Sequence, residues 1–369
     1  MKVLQPRRFD PRKTLLVGTV LAALIVFALL RDPPTGPDRL HWTGHTMGTY
    51  YDIKVAQSPF SDVEARRIHQ EIQQYFDAFN RALSTYLPDS EISRFNASDS
   101  TEPFPVSPEF AAVTRLALHW ADSSGGAFDP TLDPLINLWG FGHRGRAARR
   151  PAEEEILEAL SRTGFRAVTV PDDSHVRKER PEIQLNLNAI AKGYAADAVA
   201  RLLREAGAGH VYVEIGGDLV VSGRNPDGIP WRIGLEYPRR DLPRGERLAG
   251  IAHIQTGAFA GSGDYRQYVT DDEGNVFSHI IDPRSGHSAM DGPVAVTVWA
   301  GRCADADAVA TALMVLPLAE GLDWVESLPG VEALFFTPSQ RGEVELVYSA
   351  GFVELTGFQA LPPPATADE

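Results

Sequence analysis

Cysteine is almost absent from this chain of 369 residues, which contains only Cys303. A single cysteine cannot form an intramolecular disulfide, and it excludes a cysteine-rich metal site. Positive charge is also scarce, because 35 lysines and arginines face 49 aspartates and glutamates, for a net charge of −14. Residues 1–32 carry a net charge of +4, so the other 337 residues carry −18. A body this acidic argues against non-specific nucleic-acid binding, which needs basic side chains to neutralise phosphates.

Several catalytic signatures are missing as well. The sequence has no H-E-x-x-H motif and no G-x-S-x-G motif, which gives little support to a zinc protease or a triad hydrolase. The segment EIGGDLVVSG (214–223) matches neither of the phosphate-binding patterns G-x-x-x-x-G-K-[ST] and G-x-G-x-x-G. Hydrophobic residues make up 43% of the chain and charged residues 23%, an ordinary globular balance that excludes collagen-like, coiled-coil and wholly disordered proteins.

A long apolar run occurs once, at residues 14–30. As a helix it would span about 26 Å at 1.5 Å per residue, close to the minimum for crossing a bilayer. The basic segment 1–13 precedes it, which places the N-terminus in the cytoplasm. We therefore expect an uncleaved transmembrane signal anchor at 14–30, a proline-rich linker at 31–40 and an acidic body outside the cytoplasmic membrane. A cleaved signal peptide and a buried core helix are the alternatives.

The body mixes helix signatures with short strands. Ser61 and Glu64 form a capping box that predicts an amphipathic helix, and Ser107-Pro108 predicts another helix start. Further helices are predicted after Pro151 and at residues 190–206 and 303–316. Alternating apolar residues predict strands on both sides of Gly216-Gly217 and at several positions up to residue 348. Hairpin-spaced strands among long helices predict an α+β fold with a largely antiparallel sheet packed with helices.

Two clusters of polar residues are candidates for ligand binding. In GAFDPTLDPLINLWGFG (126–142), Asp129 and Asp133 each precede a proline, which disfavours helical conformation at both; a rigid structural turn is the alternative. In LNLNAIAKGYAAD (185–197), Asn186 and Asn188 lie just before a predicted helix with Lys192 in its first turn. The free backbone N–H groups of a helix start suit phosphate, whereas the alternative is asparagine capping with a solvated lysine.

Two further segments leave both a functional and a structural interpretation open. Gly216 and Gly217, in EIGGDLVVSG (214–223), suit either the close approach of a ligand or a β-bulge. His279 and Asp282, in SHIIDPRSG (278–286), are candidates for acid–base catalysis. A histidine beside a strand can equally be a structural residue.

A candidate metal site lies in CADADAVATALMVL (303–316). Asp307 and Thr311 are four residues apart and share one face of the predicted helix, whereas Asp305 lies off that face. A carboxylate and a hydroxyl are hard oxygen ligands that suit Mg²⁺ or Ca²⁺ rather than zinc, and Mg²⁺ usually completes its shell with substrate phosphates. The alternative is a capping aspartate and a threonine bonded to its own backbone.

In their order along the chain, these clusters resemble the ApbE family, the FAD:protein FMN transferases. The resemblance runs from about residue 42 to 350 and implies an ApbE-like domain at 41–355, followed by a disordered tail at 356–369. Besides the segments quoted above, it is carried by HTMGTYYDIKV (45–55), STYLPDSEISRFN (84–96) and GSGDYRQY (261–268).

This resemblance implies an enzyme that binds FAD and Mg²⁺ and transfers FMN from FAD to a serine or threonine hydroxyl of a target protein, releasing AMP. Targets in the family include flavin-carrying subunits of membrane redox complexes. The residues expected to contact FAD are Met47, Tyr86, Ala127, Phe128, Asp129, Asn186, Lys192 and Ile281. The expected metal ligands are the backbone carbonyl of Ala189 together with Asp307 and Thr311. Either His279 or Asp282 would be the catalytic base, and His279 is preferred.

The chain departs from the family pattern at a few positions. Asn186 and Asn188 stand where aspartate and glycine are usual, and Gly261-Ser262-Gly263 replaces Thr-Ser-Gly. We expect a flavin transferase at the cytoplasmic (inner) membrane, with a single pass and an extracytoplasmic catalytic domain. An FAD pyrophosphatase that yields FMN and AMP, and a non-catalytic flavin-binding protein, remain as alternatives.

Overall fold

The computed structural model describes residues 39–143, 150–239, 245–265, 268–270, 276–289, 292–338 and 344–362. The predicted membrane anchor at 14–30 and most of the linker lie outside these residues. Within them, no helix combines the length and the apolar character needed to span a bilayer.

The helices pack mainly against one large sheet. They are α1 (Asp62–Leu83), α2 (Glu91–Ala97), α3 (Pro108–Ser123), α4 (Asp133–Leu138), α5 (Glu153–Ser161), α6 (Asn188–Glu205), α7 (Cys303–Leu313), α8 (Leu318–Glu326) and α9 (Phe352–Thr356). The capping box is confirmed, since the Ser61 hydroxyl accepts from Glu64 N–H and the Glu64 carboxylate accepts from Ser61 N–H (2.9 Å). The predicted start of α3 is confirmed too, because the Ser107 hydroxyl accepts from Phe110 N–H.

The large sheet has eight strands in the order β1-β2-β6-β7-β10-β13-β14-β15, and every neighbouring pair is antiparallel. Its strands are β1 (Arg39–Thr46), β2 (Thr49–Ala56), β6 (Val211–Ile215), β7 (Asp218–Ser222), β10 (Thr256–Gly263), β13 (Ala295–Ala300), β14 (Val331–Pro338) and β15 (Val344–Tyr348). The predicted α+β class with a largely antiparallel sheet is confirmed.

Smaller sheets flank the large one, in the orders β3-β5-β4, β16-β9-β8 and β11-β12. Their strands are β3 (Phe104–Pro105), β4 (Val168–Asp172), β5 (His175–Lys178), β8 (Trp231–Glu236), β9 (Leu248–Ile254), β11 (Tyr268–Thr270), β12 (Val276–Ser278) and β16 (Gln359–Ala360). β16 pairs with β9, and Phe358 is buried beside it. The predicted disordered tail is therefore wrong for residues 356–360, because an aromatic residue in this proline-rich segment packs into a core.

Hydrophobic cores cover both faces of the large sheet. On one face, Val213 and Val298 pack with Phe79 of α1 and Val199 of α6. On the other face, Leu219 and Phe259 pack with Trp231 of β8 and residues of β9. Alternate strand residues thus serve opposite cores, as the two-residue period of a strand requires.

The α6–α7 crossing is the tightest helix contact near the candidate site. A Cβ atom added at Gly193 of α6 would lie 2.4 Å from the Cys303 carbonyl oxygen and 2.8 Å from the Ala304 Cα, both on the backbone of α7. No side chain fits there, so glycine is required for the two helices to approach this closely.

Gly193→Ala should lower the free energy of unfolding by about 2 kcal/mol or more. The overlap with the α7 backbone outweighs the gain of about 1 kcal/mol that alanine has over glycine inside a helix. Gly209→Ala is the matched control, since no atom lies within 4 Å of its added Cβ, and its stability should stay within about 0.5 kcal/mol of the wild type. Urea unfolding measures both variants, and equal stability of the two would contradict the tight crossing.

Candidate active site

The α6–α7 crossing brings together an ion cluster of Lys192, Asp218 and Asp307. The Lys192 ammonium bonds Asp218 Oδ2 and lies 3.7 Å from Asp307 Oδ1. Both carboxylates are buried, with 2% and 4% of their side chains exposed, whereas Lys192 keeps 30%. When both carboxylates are ionised, two carboxylates and one ammonium leave the cluster with one excess negative charge.

Asp307 is fixed from the neighbouring helix. Its Oδ2 accepts a hydrogen bond from Gly193 N–H (3.1 Å), so the glycine that permits the helix crossing also orients the carboxylate. In a regular helix an N–H points toward the carbonyl four residues earlier, so we expect the Ala189 carbonyl on the same side of α6 as this carboxylate. Asp307 is the fifth residue of α7, so it is not the capping residue that the sequence left as an alternative.

Thr311 lies one turn further along α7. Its hydroxyl donates to the Asp307 carbonyl oxygen (3.1 Å), the local bond that the sequence analysis left open. The hydroxyl oxygen also lies 3.5 Å from Ser262 Oγ at the end of β10. Since the hydroxyl proton is directed at the carbonyl, the lone pairs of the oxygen remain available to a cation.

Burial governs the charges of this cluster. Burial and the nearby Asp218 raise the pKa of Asp307 to about 7. Burial alone would lower the pKa of Lys192, but Asp218 and Asp307 outweigh it and the pKa is raised. Lys192 is therefore a permanent cation, whereas the raised pKa of Asp307 shows that Lys192 offsets the burial of its negative charge only in part.

Asp197 of α6 holds the start of α7. Its carboxylate accepts from Cys303 N–H (2.9 Å) and Ala304 N–H (3.0 Å), whereas the N-cap residue Arg302 makes no capping bond with its own side chain. Burial raises the pKa of Asp197 to about 6 despite these two bonds. The Asp197 carboxylate thus caps α7 from the neighbouring helix. It thereby fixes the position of α7, and with it Asp307, along α6.

Asn186 joins the start of α6 to α4. Its Oδ1 accepts from Asn188 N–H (3.1 Å) and its Nδ2 donates to Asp133 Oδ1 (3.0 Å), but it does not cap α6, because the N-cap residue is Leu187, which makes no side-chain capping bond. Asp133 is buried and also accepts from Asn137 Nδ2 (2.7 Å). An aspartate at position 186 could not donate to Asp133, so the pairing with this buried carboxylate explains the asparagine.

The loop before α4 has the structural character that the sequence analysis kept as an alternative. The Asp129 carboxylate accepts from Thr131 N–H (2.7 Å) and Phe165 N–H (3.2 Å), and burial raises its pKa. The side chains of Ala127 and Phe128 are buried in the main core. The loop meets Asn186 at the Pro130 carbonyl, which accepts from Asn186 N–H (2.7 Å), and Asp133 at the start of α4 also lines a polar cleft with Thr85 and Ser93.

His279 and Asp282 lie in the segment after β12. The His279 ring is half-buried and edge-on to Phe141, with 6.2 Å between ring centres. Both oxygens of Asp282 accept from the Arg284 guanidinium (2.9 Å each), and Arg284 also donates to the Val315 carbonyl just beyond α7 (3.3 Å). Ile281 is buried and bridges to Ser288. The segment therefore flanks the C-terminal end of α7, one turn beyond Thr311.

Two hairpin turns meet at the same end of the large sheet. Met47 and Gly48 connect β1 to β2 with φ angles of 51° and 72°, so Met47 has the left-handed conformation that non-glycine residues rarely adopt. Gly216 and Gly217 form the β6–β7 turn, which is neither a bulge nor a break in the sheet. A Cβ at Gly216 would lie 2.8 Å from Thr49 and 3.4 Å from the Lys192 stem, which brings both turns to the ion cluster.

Tyr86 is exposed, with 61% of its surface accessible, in the turn between α1 and α2. Its backbone N–H donates to Ser84 Oγ (3.3 Å). A tyrosine ring with this much exposed surface can stack on a flat ligand.

The sequence analysis missed Asp218, Asp197 and Gly193 as parts of the site. Asp218 is the first residue of β7 and faces the core that α6 and α7 share. A carboxylate on the apolar side of a strand was the available signal, since buried acidic residues are rare unless they are paired. Lys192 was placed in the first turn of its helix, but α6 begins at Asn188, so the lysine is the fifth helical residue and points to Asp218.

Comparison with known proteins places this geometry in a family. The model of the ApbE family matches residues 47–335, which contain the whole ion cluster. A Vibrio cholerae protein named FAD:protein FMN transferase is 38% identical over 309 residues, covering 83% of this chain and 89% of that protein. A protein of the same name from Escherichia coli is 35% identical over 309 residues, covering 80% of this chain and 85% of its own length.

Solved structures agree with the sequence relatives. The flavin transferase ApbE from Vibrio cholerae has a TM-score of 0.77 at 36% identity, covering 86% of this chain and 98% of that one. The apo form of the Pseudomonas stutzeri flavinyl transferase ApbE has the same TM-score and identity, covering 86% and 97%. The agreement of family model, relatives and fold shows that this chain belongs to the ApbE family.

Proposed function

We propose that this chain is an FAD:protein FMN transferase. The hydroxyl oxygen of a serine or threonine in a target protein attacks the phosphorus on the FMN side of the FAD pyrophosphate. The bond from that phosphorus to the bridging oxygen breaks, AMP leaves with this oxygen, and the hydroxyl proton passes to a base. The observation that carries the proposal is the Lys192–Asp218–Asp307 cluster at the α6–α7 crossing, in a chain whose relatives bear the name of this activity.

The donor set at this cluster fits Mg²⁺. Asp307, Thr311 and the Ala189 carbonyl offer only oxygen, and the cluster has one negative charge in excess. In the described part of the chain no three His, Cys, Asp or Glu side chains gather as a metal site, so substrate phosphates would complete the shell, as is usual for Mg²⁺. Bound there, Mg²⁺ would neutralise charge on the pyrophosphate.

Lys192 supplies a second positive charge for the pyrophosphate. Its stem runs beside Gly216 and its ammonium is held by Asp218, so the cation is fixed before the substrate arrives. Phosphoryl transfer depends mainly on positioning and on charge neutralisation, and a preorganised ammonium serves both.

The remaining FAD contacts are assigned around this centre. Met47 and Tyr86 are the candidates for contact with the rings of FAD, because both occupy exposed or partly exposed turns. Asn186 and Ile281 border α4 and the segment after β12. Ala127, Phe128 and Asp129 would contact FAD largely through the main chain, since two of these side chains are buried and the third is bonded within its own loop.

His279 is assigned as the base. The Asp282 carboxylate is engaged by Arg284 in a bidentate pair, so both of its oxygens are already occupied. The imidazole of His279 has a ring nitrogen that can accept the hydroxyl proton. Asp282 instead fixes the turn that follows His279.

The cellular setting is proposed from the sequence. Residues 14–30 would anchor the protein once in the cytoplasmic membrane, with the catalytic domain on the extracytoplasmic side. The target would be a protein with an accessible serine or threonine, in keeping with flavin-carrying subunits of membrane redox complexes.

Incubation of the protein with FAD, Mg²⁺ and a candidate flavin-carrying target should leave flavin on the target after denaturation, with AMP formed in equal amount. Mass spectrometry of the target and quantitation of AMP measure the two products. Free FMN formed at the same rate without a target would instead support a pyrophosphatase. Tight FAD binding without turnover would support a flavin-binding protein and contradict the proposal.

Asp307→Asn should reduce the transfer rate by at least about 10²-fold at saturating FAD, because a neutral amide loses the charge that holds the cation. Asp305→Asn is the matched control on the same helix, since its carboxylate accepts from Trp120 and Arg302 and faces away from the cluster. Steady-state rates over a Mg²⁺ titration measure both. Equal Mg²⁺ dependence in the two variants would exclude Asp307 as a ligand.

His279→Asn should reduce the rate by about 10²–10⁴-fold while the affinity for FAD changes little, as expected for a base that acts on the incoming hydroxyl. The fluorescence of bound flavin measures affinity, and single-turnover transfer measures the rate. A variant that keeps its rate but binds FAD weakly would assign His279 to substrate binding.

A further inference from the structure

The two carboxylates of the ion cluster are engaged in different ways. Asp218 uses both oxygens, since Oδ2 accepts from Lys192 and Oδ1 accepts from Gly261 N–H on the neighbouring strand β10 (3.3 Å). Asp307 uses Oδ2 for Gly193 N–H, while its Oδ1 is 3.7 Å from the Lys192 ammonium, beyond hydrogen-bond distance. Both oxygens of Asp218 thus accept a hydrogen bond, whereas Asp307 Oδ1 lies near the Lys192 ammonium without a bond to it.

Asp218 itself is rigidly held. It begins β7 directly after the tight Gly216–Gly217 turn and is paired with Ile215 across the hairpin. The Gly261 N–H fixes its second oxygen from the other side. The carboxylate therefore has a fixed position relative to the sheet, whereas Lys192 has a flexible four-carbon stem that could swing between the two acids.

Lys192 and a cation compete for the same oxygen. An ammonium that closed the remaining gap to Asp307 Oδ1 would cancel the charge of that carboxylate and occupy the side open to a metal ion. It would also be withdrawn from the pyrophosphate. Among the residues that the structure describes, Asp218 is the carboxylate that bonds the ammonium directly, so the separation of the two roles depends on this residue.

We propose that Asp218 is a positioning residue that keeps the Lys192 ammonium off Asp307, so that Asp307 binds the cation while Lys192 serves the pyrophosphate. This inference rests on the proposed function, and it assigns a role to a residue outside the expected ligand and FAD-contact sets. Asp218 acts through Lys192 and does not itself contact the cation.

The test is a double-mutant cycle read out by metal binding. Mn²⁺ serves as the probe, and electron paramagnetic resonance counts free Mn²⁺ in titrations of the FAD-free protein. Asp218→Asn should raise the dissociation constant at least about tenfold, because the released ammonium pairs with Asp307 in a buried setting. In the Lys192→Met background the same substitution should have less than about a twofold effect, since no ammonium is left to move.

The cycle separates positioning from direct ligation. If Asp218 bound the metal, or acted only through its charge, its loss would weaken Mn²⁺ binding equally in both backgrounds, which would overturn the inference. The double variant removes both members of the Lys192–Asp218 pair, so neither is left buried without the other. Asp218→Glu should restore most of the affinity, and Asp305→Asn should leave it unchanged.

FMN transfer by the wild type, assayed in parallel, keeps the two proposals apart. If the wild type transfers FMN and Asp218→Asn weakens Mn²⁺ binding equally in both backgrounds, the role of Asp218 is rejected and the transferase function stands. Wild-type protein that transfers FMN but binds no Mn²⁺ would overturn this inference together with the Asp307 metal assignment. If the wild type transfers FMN to no target while the double-mutant cycle of Mn²⁺ binding gives the expected result, the transferase function alone is contradicted.

Discussion

The site depends on the contact between the backbones of α6 and α7 at Gly193. The missing side chain lets the helices touch, and the Gly193 N–H then donates to Asp307 across the interface. Asp197, one helical turn further along α6, caps the first residues of α7 and prevents the second helix from sliding along the first. The position of Asp307 relative to Lys192 follows from these contacts, because Lys192 and Gly193 are consecutive residues.

The ion cluster is better explained by function than by stability. Removing charges from water costs several kcal/mol per ion, and buried ion pairs often add nothing over apolar residues of similar size. Here the cost is incurred with one negative charge left in excess, next to a partly exposed ammonium. Such an arrangement suits a ligand that brings both positive and negative charge, as a metal pyrophosphate does.

The features that the sequence predicts correctly are those formed between residues close together in the chain. The capping box at Ser61, the start of α3 and the shared face of Asp307 and Thr311 all involve residues three or four apart, and each is present in the structure. The contacts that assemble the site are not local: Lys192 and Asp218 are 26 residues apart, and Gly193 and Asp307 are 114 apart. Sequence patterns do not encode such pairs, so the partners of Asp218 and Asp197 emerge only with the fold. The same holds for Asn186, whose partner Asp133 is 53 residues away.

The most direct measurement is a crystal structure of the protein with FAD and Mn²⁺, using the anomalous signal of the metal to locate it. We expect one Mn²⁺ bound by Asp307 Oδ1, Thr311 Oγ1 and the Ala189 carbonyl, in contact with the pyrophosphate. Lys192 should reach a phosphate oxygen while it remains bonded to Asp218. A metal ion bound by Asp218, or a pyrophosphate distant from the α6–α7 crossing, would contradict the assignment of this cluster as the catalytic centre.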